Sequence, residues 1–181
     1  MDFQYTEEQQ LLADSINRLI DRDYDFETRQ KIVASPEGYS ADLWNSMAEM
    51  GLMSLPFSSD DGGYGGGTTD MIAVMEAIGA GLVVEPYVST MLAGRFVARA
   101  GSEAQREAVV PGVIDGSMKL AFAHTERDSR YDLSHVECRA EGGASGGWTL
   151  SGEKRIVAHA PIADRLLVSA RTAGAATDRQ G

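Results

Sequence analysis

The sequence predicts an α+β protein in two parts: an antiparallel α-helical bundle over residues 1–118, then part of an antiparallel, barrel-like β-domain over 119–181. Three observations predict it. Apolar residues recur at helical spacing from Leu12 to Ile114, as in helices that bury one face. Beyond Gly116 the period shortens to two, as in half-buried strands. The charge changes at the same place: residues 1–118 carry 7 basic and 19 acidic side chains, and residues 119–181 carry 9 and 8. A shift of that size marks a domain boundary near 116–119.

Thr6-Glu7-Glu8-Gln9 reads as a capping box, in which the Thr6 hydroxyl bonds the Gln9 amide and the Gln9 side chain reaches back. Leu12, Ile16, Leu19 and Ile20 follow at helical spacing. Residues 27–34 form a second short helix, closed before Pro36. Ser40 caps a third, with Leu43, Trp44, Met47 and Met50 inward and Gly51 as its stop. A Gly-rich link over 60–68 has no apolar period, and Thr69 or Asp70 then opens a helix through Met71, Met75 and Ile78. Another begins after Pro86 and runs through Met91, Leu92 and Phe96 to Gly101. Ser102-Glu103-Ala104-Gln105 is a second capping box, leading to Val109, Val110, Val113 and Ile114. The methionines at 47, 50, 53, 71 and 75 read as core filling, with acyl-chain contact as the functional alternative.

In the second part, Leu120, Phe122 and His124 alternate with Ala121, Ala123 and Thr125. Strands are predicted over 136–140, 148–150, 156–158 and 165–172, with a turn at 142–147. A sheet ending at Gly181 would leave an unpaired edge strand, so the chain reads as part of a larger β-domain.

Composition excludes several classes. The 181 residues are 43% hydrophobic and 24% charged, with net charge −11, which argues against nucleic acid as a partner. No apolar run approaches a transmembrane length. Cys138 is the only cysteine, so an internal disulfide is impossible, and the cytoplasm is the expected compartment. Histidines at 124, 135 and 159 are scattered, which argues against a metal site. Gly143-Ala144-Ser145-Gly146-Gly147 matches the nucleophile-elbow pattern but precedes a strand where that motif needs a helix, so it reads as a hairpin turn. The 62–67 glycine cluster lacks the lysine of a phosphate loop.

Other segments carry more. Phe3-x-Tyr5-x-Glu7-x-x-Gln10 opens the chain, and Gly51-Leu52 and Pro56…Gly62-Gly63-x-Gly65 follow. Next come Leu120-Ala121-Phe122-Ala123-His124-Thr125-Glu126, Gly152-x-Lys154 and Ala163-Asp164. In order and spacing these resemble the acyl-CoA dehydrogenase family across the whole chain. More narrowly, Tyr24-Asp25-Phe26-Glu27, Ala34-Ser35-Pro36-Glu37-Gly38 and Ser129-Arg130-Tyr131-Asp132-Leu133 resemble the small subunits of pimeloyl-CoA dehydrogenases.

The resemblance implies an N-terminal helical domain and a middle β-domain, with the family's C-terminal helical domain absent. It implies FAD as cofactor and oxidation of an acyl-CoA, with dicarboxylyl-CoA among the candidates, to the trans-2-enoyl-CoA. It also implies a large dehydrogenase subunit or further copies of the chain as partners, and an electron-transferring flavoprotein as electron acceptor. Phe122, His124 and Thr125 align with a segment beside the flavin ring; Thr125 is either a flavin contact or a strand-end threonine bonding the backbone. Ile156, Val157 and Ala158 align with the second flavin segment, where the family commonly has tryptophan and threonine in place of Ile156 and Ala158. Arg130 and Tyr131 replace a glycine and a phosphate-contacting serine; Arg130 reads equally as a phosphate or carboxylate partner and as a surface ion pair. His159 either replaces a polar contact or is solvated. No motif nominates Glu76, Glu85 or another acid as catalytic base, which in much of the family lies in the C-terminal domain. Two readings stand beside each other: a subunit of the dehydrogenase, inactive alone, and a non-catalytic partner that stabilises a large subunit and completes a shared flavin or acyl site. A helical interaction module unrelated to flavin is the remote third.

Overall fold

The computed structural model describes residues 4–143 and 146–181. Phe3, and Ala144 and Ser145 of the 142–147 turn, lie outside the described residues.

Six α-helices are described: α1 (Glu7–Asp23), α2 (Phe26–Ala34), α3 (Ala41–Glu49), α4 (Thr68–Ala80), α5 (Tyr87–Ala100) and α6 (Glu103–Ile114). Local chemistry sets their starts. Both capping boxes form: Thr6 Oγ1 accepts from the Gln9 amide at 3.2 Å, and Ser102 Oγ from the Gln105 amide at 3.3 Å, each reciprocated. Ser40 caps α3 as expected. Helix α4 starts at Thr68, one residue earlier than Thr69, because the Asp70 carboxylate accepts from the Gly67 amide.

The core gathers Ile16, Leu19 and Ile20 of α1, Leu43, Trp44 and Met47 of α3, Val74 and Ile78 of α4, Tyr87 and Met91 of α5, and the valines of α6. Met47 and Met53 fill it, and Met71 and Met75 are half-buried against it. Met50, predicted inward, is corrected to exposed, and Leu92 and Phe96 of the apolar run on α5 are exposed too. Helix α5 buries Tyr87, Thr90, Met91, Ala93 and Gly94 instead, which leaves Val88, Leu92 and Phe96 at i, i+4 and i+8 as an outward apolar stripe.

The Gly-rich link cannot cradle phosphate, because its amides are spent within the chain. Those of Gly63, Tyr64, Gly65 and Gly66 bond the carbonyls of Ser58, Ser54, Phe57 and Leu55. A Cβ at Gly63 would lie 2.3 Å from Phe57 O, so only glycine allows the approach.

The β part holds β1 (Leu120–Ala123), β2 (Arg139–Gly142), β3 (Trp148–Ser151) and β4 (Arg165–Val168). β2 and β3 form an antiparallel hairpin, closed by the Gly143 amide on Gly147 O. The expected antiparallel pairing fails for β1 and β4, which pair in parallel with Leu120 opposite Arg165. The strand predicted at 136–140 is shifted to 139–142, and β1 and β4 stop at 123 and 168. Residues 156–158 are not a strand. Ile156 (φ 51°) and His159 (φ 62°) occupy the left-handed region, which breaks any ladder there and costs about 1–2 kcal/mol per non-glycine residue.

The two parts are joined by buried polar contacts. Thr90 Oγ1 accepts from the Leu120 amide at 3.1 Å and donates to Leu120 O at 3.3 Å, while Trp44 Nε1, donating to Gly116 O at 2.7 Å, fixes the end of the helical part from which β1 departs. Strand β1 thus lies on α5 with Leu120, Ala121 and Ala123 buried, rather than alternating one face to solvent.

Candidate functional site

The site grows from the end of β1. Phe122 is half-buried, with its ring 5.1 Å from Phe96 of α5 on one side and stacked at 5.4 Å on His124 on the other. A cleft of about 480 Å³ opens beside it, lined chiefly by Phe96, Val109, Phe122 and Leu167. The two segments predicted to contact flavin, 122–125 and 156–158, are brought side by side, because the Arg155 amide donates to Thr125 O at 2.8 Å.

Beneath them lies a buried ion pair. Lys154 Nζ donates to Glu126 Oε1 at 2.6 Å, to Ser169 Oγ at 2.9 Å and to His124 O at 3.3 Å. Glu126 also accepts from the amides of Glu137 and Cys138. Burial pushes the Glu126 carboxyl up, but the ammonium of Lys154 and the two amides outweigh it and hold the group below the usual glutamate range. Ser169 Oγ, which accepts from Lys154, also lies 3.1 Å from His124 Nδ1. Lys154 thus links β1, the 152–156 loop and the end of β4.

Around this support the predicted site residues divide. Thr125 is exposed, and its hydroxyl has no partner among the described residues. The amides of Ile156, Val157 and Ala158 likewise donate to nothing described. Ile156 is 94% exposed, Ala158 is exposed and Val157 is half-buried. Arg130 (φ 44°) and Tyr131 (100% exposed) stand on a separate loop, and Arg130 makes no ion pair within 4 Å among the described residues. His159 is neither solvated nor directed at the exposed edge. It turns to the helical part, with Nδ1 3.0 Å from Ser89 Oγ and Nε2 3.1 Å from Val84 O.

Neither acid considered as a base stands at this edge. Glu76 on α4 accepts from Tyr5 Oη, and Glu85 is buried before α5, where Oε1 accepts from the Ser40 amide at 3.0 Å and Oε2 has no partner among the described residues. Burial pushes the Glu85 carboxyl up and the nearby Tyr24 phenol up to about 12. Glu126, His135 and Glu137 bring possible metal-ligand atoms within 4.8 Å of one another. The Lys154 ammonium already occupies the same carboxylate, which opposes a cation there.

Sequence reasoning missed the Glu126–Lys154 pair, although both residues stood in the quoted motifs. The readable signal was a Glu following the β1 pattern and a Lys in Gly152-x-Lys154, two opposite charges adjoining apolar strands.

Comparison with known proteins defines the class. Residues 6–117 match the model of the acyl-CoA dehydrogenase N-terminal domain, and 121–181 that of the middle domain. The chain belongs to the acyl-CoA dehydrogenase family, whose members are FAD-dependent oxidoreductases, and this removes the reading as an unrelated helical module. It is 28% identical over 144 residues to acyl-CoA dehydrogenase FadE12 of Mycobacterium tuberculosis, covering 78% of this chain and 37% of that protein. The ChsE4-ChsE5 complex from Mycobacterium tuberculosis aligns with TM-score 0.84 at 26% identity, over 95% of this chain and 46% of the other. The FAD complex of PigA aligns with TM-score 0.79 at 27% identity, over 97% and 46%. The chain therefore spans less than half the length of these relatives. No helix among the described residues is long and apolar enough to cross a membrane.

Proposed function

We propose that this chain supplies the helical domain and part of the middle domain of a FAD-dependent acyl-CoA dehydrogenase subunit, which oxidises an acyl-CoA thioester to the trans-2-enoyl-CoA together with a second, larger subunit. One observation carries the reading. The 122–125 and 156–158 segments are locked edge to edge by the Arg155–Thr125 bond, while the Thr125 hydroxyl and the amides of 156–158 are left as free donors. Such donors fit the polar edge of a flavin ring, as the FAD complex of the similar PigA supports. The bound flavin supplies the acceptor for the β-hydride. Phe122 and His124 form an aromatic wall beside those donors, and the α5 stripe of Val88, Leu92 and Phe96 offers an apolar path for an acyl chain. Arg130, free of any ion pair on its loop, is assigned to a phosphate of FAD or CoA, or to the distal carboxylate of a dicarboxylyl chain, with Tyr131 beside it.

Replacement of the usual tryptophan by Ile156 and of the threonine by Ala158 weakens the flavin contacts from this side. The α-proton acceptor is assigned to another part of the assembly, because Glu76 and Glu85 are engaged within the helical part. The similarity to one chain of the ChsE4-ChsE5 complex supports a site shared between unlike subunits. A dicarboxylyl substrate, as in pimeloyl-CoA dehydrogenases, and electron-transferring flavoprotein as acceptor rest on the family resemblance.

The second reading, a non-catalytic partner subunit, is favoured by the same two replacements. Absorption spectra of the full-length protein, alone and with its partner, separate the two. A flavin band from the protein alone supports an independent site. A band only in the complex, at less than one flavin per subunit, supports the shared site. A complex with neither flavin nor acyl-CoA oxidation by an artificial acceptor would sink the enzyme reading.

A further inference from the structure

We propose that His159 is a positioning residue, whose imidazole pins the 156–159 segment to the head of α5 and so presets the donors offered to the flavin. The functional consequence rests on the flavin reading above, whereas the tether stands on contacts within the chain. Nε2 lies 3.1 Å from the Val84 carbonyl, which only accepts, so Nε2 carries a proton. Nδ1, left as an acceptor, lies 3.0 Å from Ser89 Oγ, whose single proton it shares with Pro86 O at 3.1 Å. Both ring nitrogens are thus used, on either side of Pro86, by residues 75 and 70 positions away in sequence.

The backbone adds an independent observation. Ile156 and His159, the two ends of the segment, both have positive φ, a conformation non-glycine residues keep where surrounding contacts impose it. Arg155 fixes one end through Thr125 O, and His159 fixes the other. Between the clamps, the amides of 156, 157 and 158 have no acceptor among the described residues. Asn or Gly would adopt the His159 backbone with less strain; what the position uses is the two-ended reach of an imidazole. A donor row held at both ends binds its acceptor without first losing chain entropy.

The test uses the full-length protein with its partner, as parent and as His159→Phe, His159→Asn and Ser89→Ala. Phe keeps the ring volume and removes both bonds, while Asn tolerates the backbone and keeps one donor and one acceptor. Three quantities are read: hydrogen exchange without added FAD at the hydrogen-bonded amides that flank the segment, those of Arg155, Ala160 and Ile162, the dissociation constant for FAD, and the melting temperature. His159→Phe should speed exchange at least about tenfold and weaken FAD binding about five- to fiftyfold, as expected for two lost hydrogen bonds. Ser89→Ala should weaken FAD binding about two- to tenfold, the pair of changes should be no worse than His159→Phe alone, and His159→Asn should recover part of the loss. Unchanged exchange in His159→Phe overturns the tether. Faster exchange or a lower melting temperature with unaltered FAD affinity overturns the positioning role. A parent complex that takes up no FAD overturns the flavin reading and with it the role of His159 in that site, while the exchange result still decides the tether. If His159→Phe does not fold, Ser89→Ala and His159→Asn carry the same comparisons.

Discussion

Replacing Lys154 by Met keeps most of the side-chain volume and removes one charge from the buried pair under the site. Lys154 is 8% exposed and Glu126 2%, so the carboxylate left behind stays out of water. It retains only the amides of Glu137 and Cys138. Stranding one charge of a buried pair costs about 3–5 kcal/mol. In a domain of this size that corresponds to a melting temperature lower by roughly 6–20 °C. The pH dependence should also change sign. In the parent, Glu126 ionises below the normal glutamate range when folded, so its stabilisation is complete above the unfolded value and is lost as pH falls through the folded one. Without Lys154 burial dominates and the folded carboxyl rises above the unfolded value, so stability falls as pH rises. The loss in Lys154→Met should therefore be largest near pH 7 and shrink towards pH 4.5. Replacing both partners, Glu126→Gln with Lys154→Met, should recover most of the loss, since an apolar or neutral pair avoids the stranded charge. Urea unfolding of the parent, Lys154→Met and the double variant at several pH values measures all of this. A loss under about 1 kcal/mol at pH 7, or a double variant no more stable than Lys154→Met, would refute the reasoning.

Other expectations test the remaining parts of the fold and site. Thr125→Ala should weaken flavin retention or shift its potential; a complex with unaltered spectrum and FAD affinity removes Thr125 from the site. Gly116→Ala should cost about 1–2 kcal/mol for the left-handed backbone at φ 79°, and more for a Cβ built 2.7 Å from that of Ala48, read from the urea midpoint. Glu85→Gln should match or exceed the parent in stability at pH 8 and lose that advantage near pH 4. The raised folded carboxyl makes the parent lose stability as pH climbs from the unfolded value to the folded one, and a parent with flat stability across that range contradicts the assignment. Ser102→Ala should cost about 1 kcal/mol through the lost cap, measured by thermal unfolding.

The helical part is legible in the residues almost element by element, because capping boxes at Thr6 and Ser102, the Ser40 cap and the apolar period act within one or two turns of chain. The family is legible there too, through the order of short motifs, as are the segments to compare with its flavin contacts. Tertiary structure decided what those segments face. The apolar run at 156–158 reads as a strand, yet it is held in a strained loop, because Lys154 must reach buried Glu126 and His159 must reach Val84 and Ser89. Leu92 and Phe96 stand in the apolar run of α5, yet they lie outward, because Tyr87, Thr90 and Met91 take the inner face of α5 and Thr90 bonds Leu120. The physical reason is range. A cap or a helical period is fixed by neighbours a few residues apart, whereas a buried charge or a two-ended imidazole finds its partners 28 to 75 residues away, where local pattern carries no information about which groups will meet.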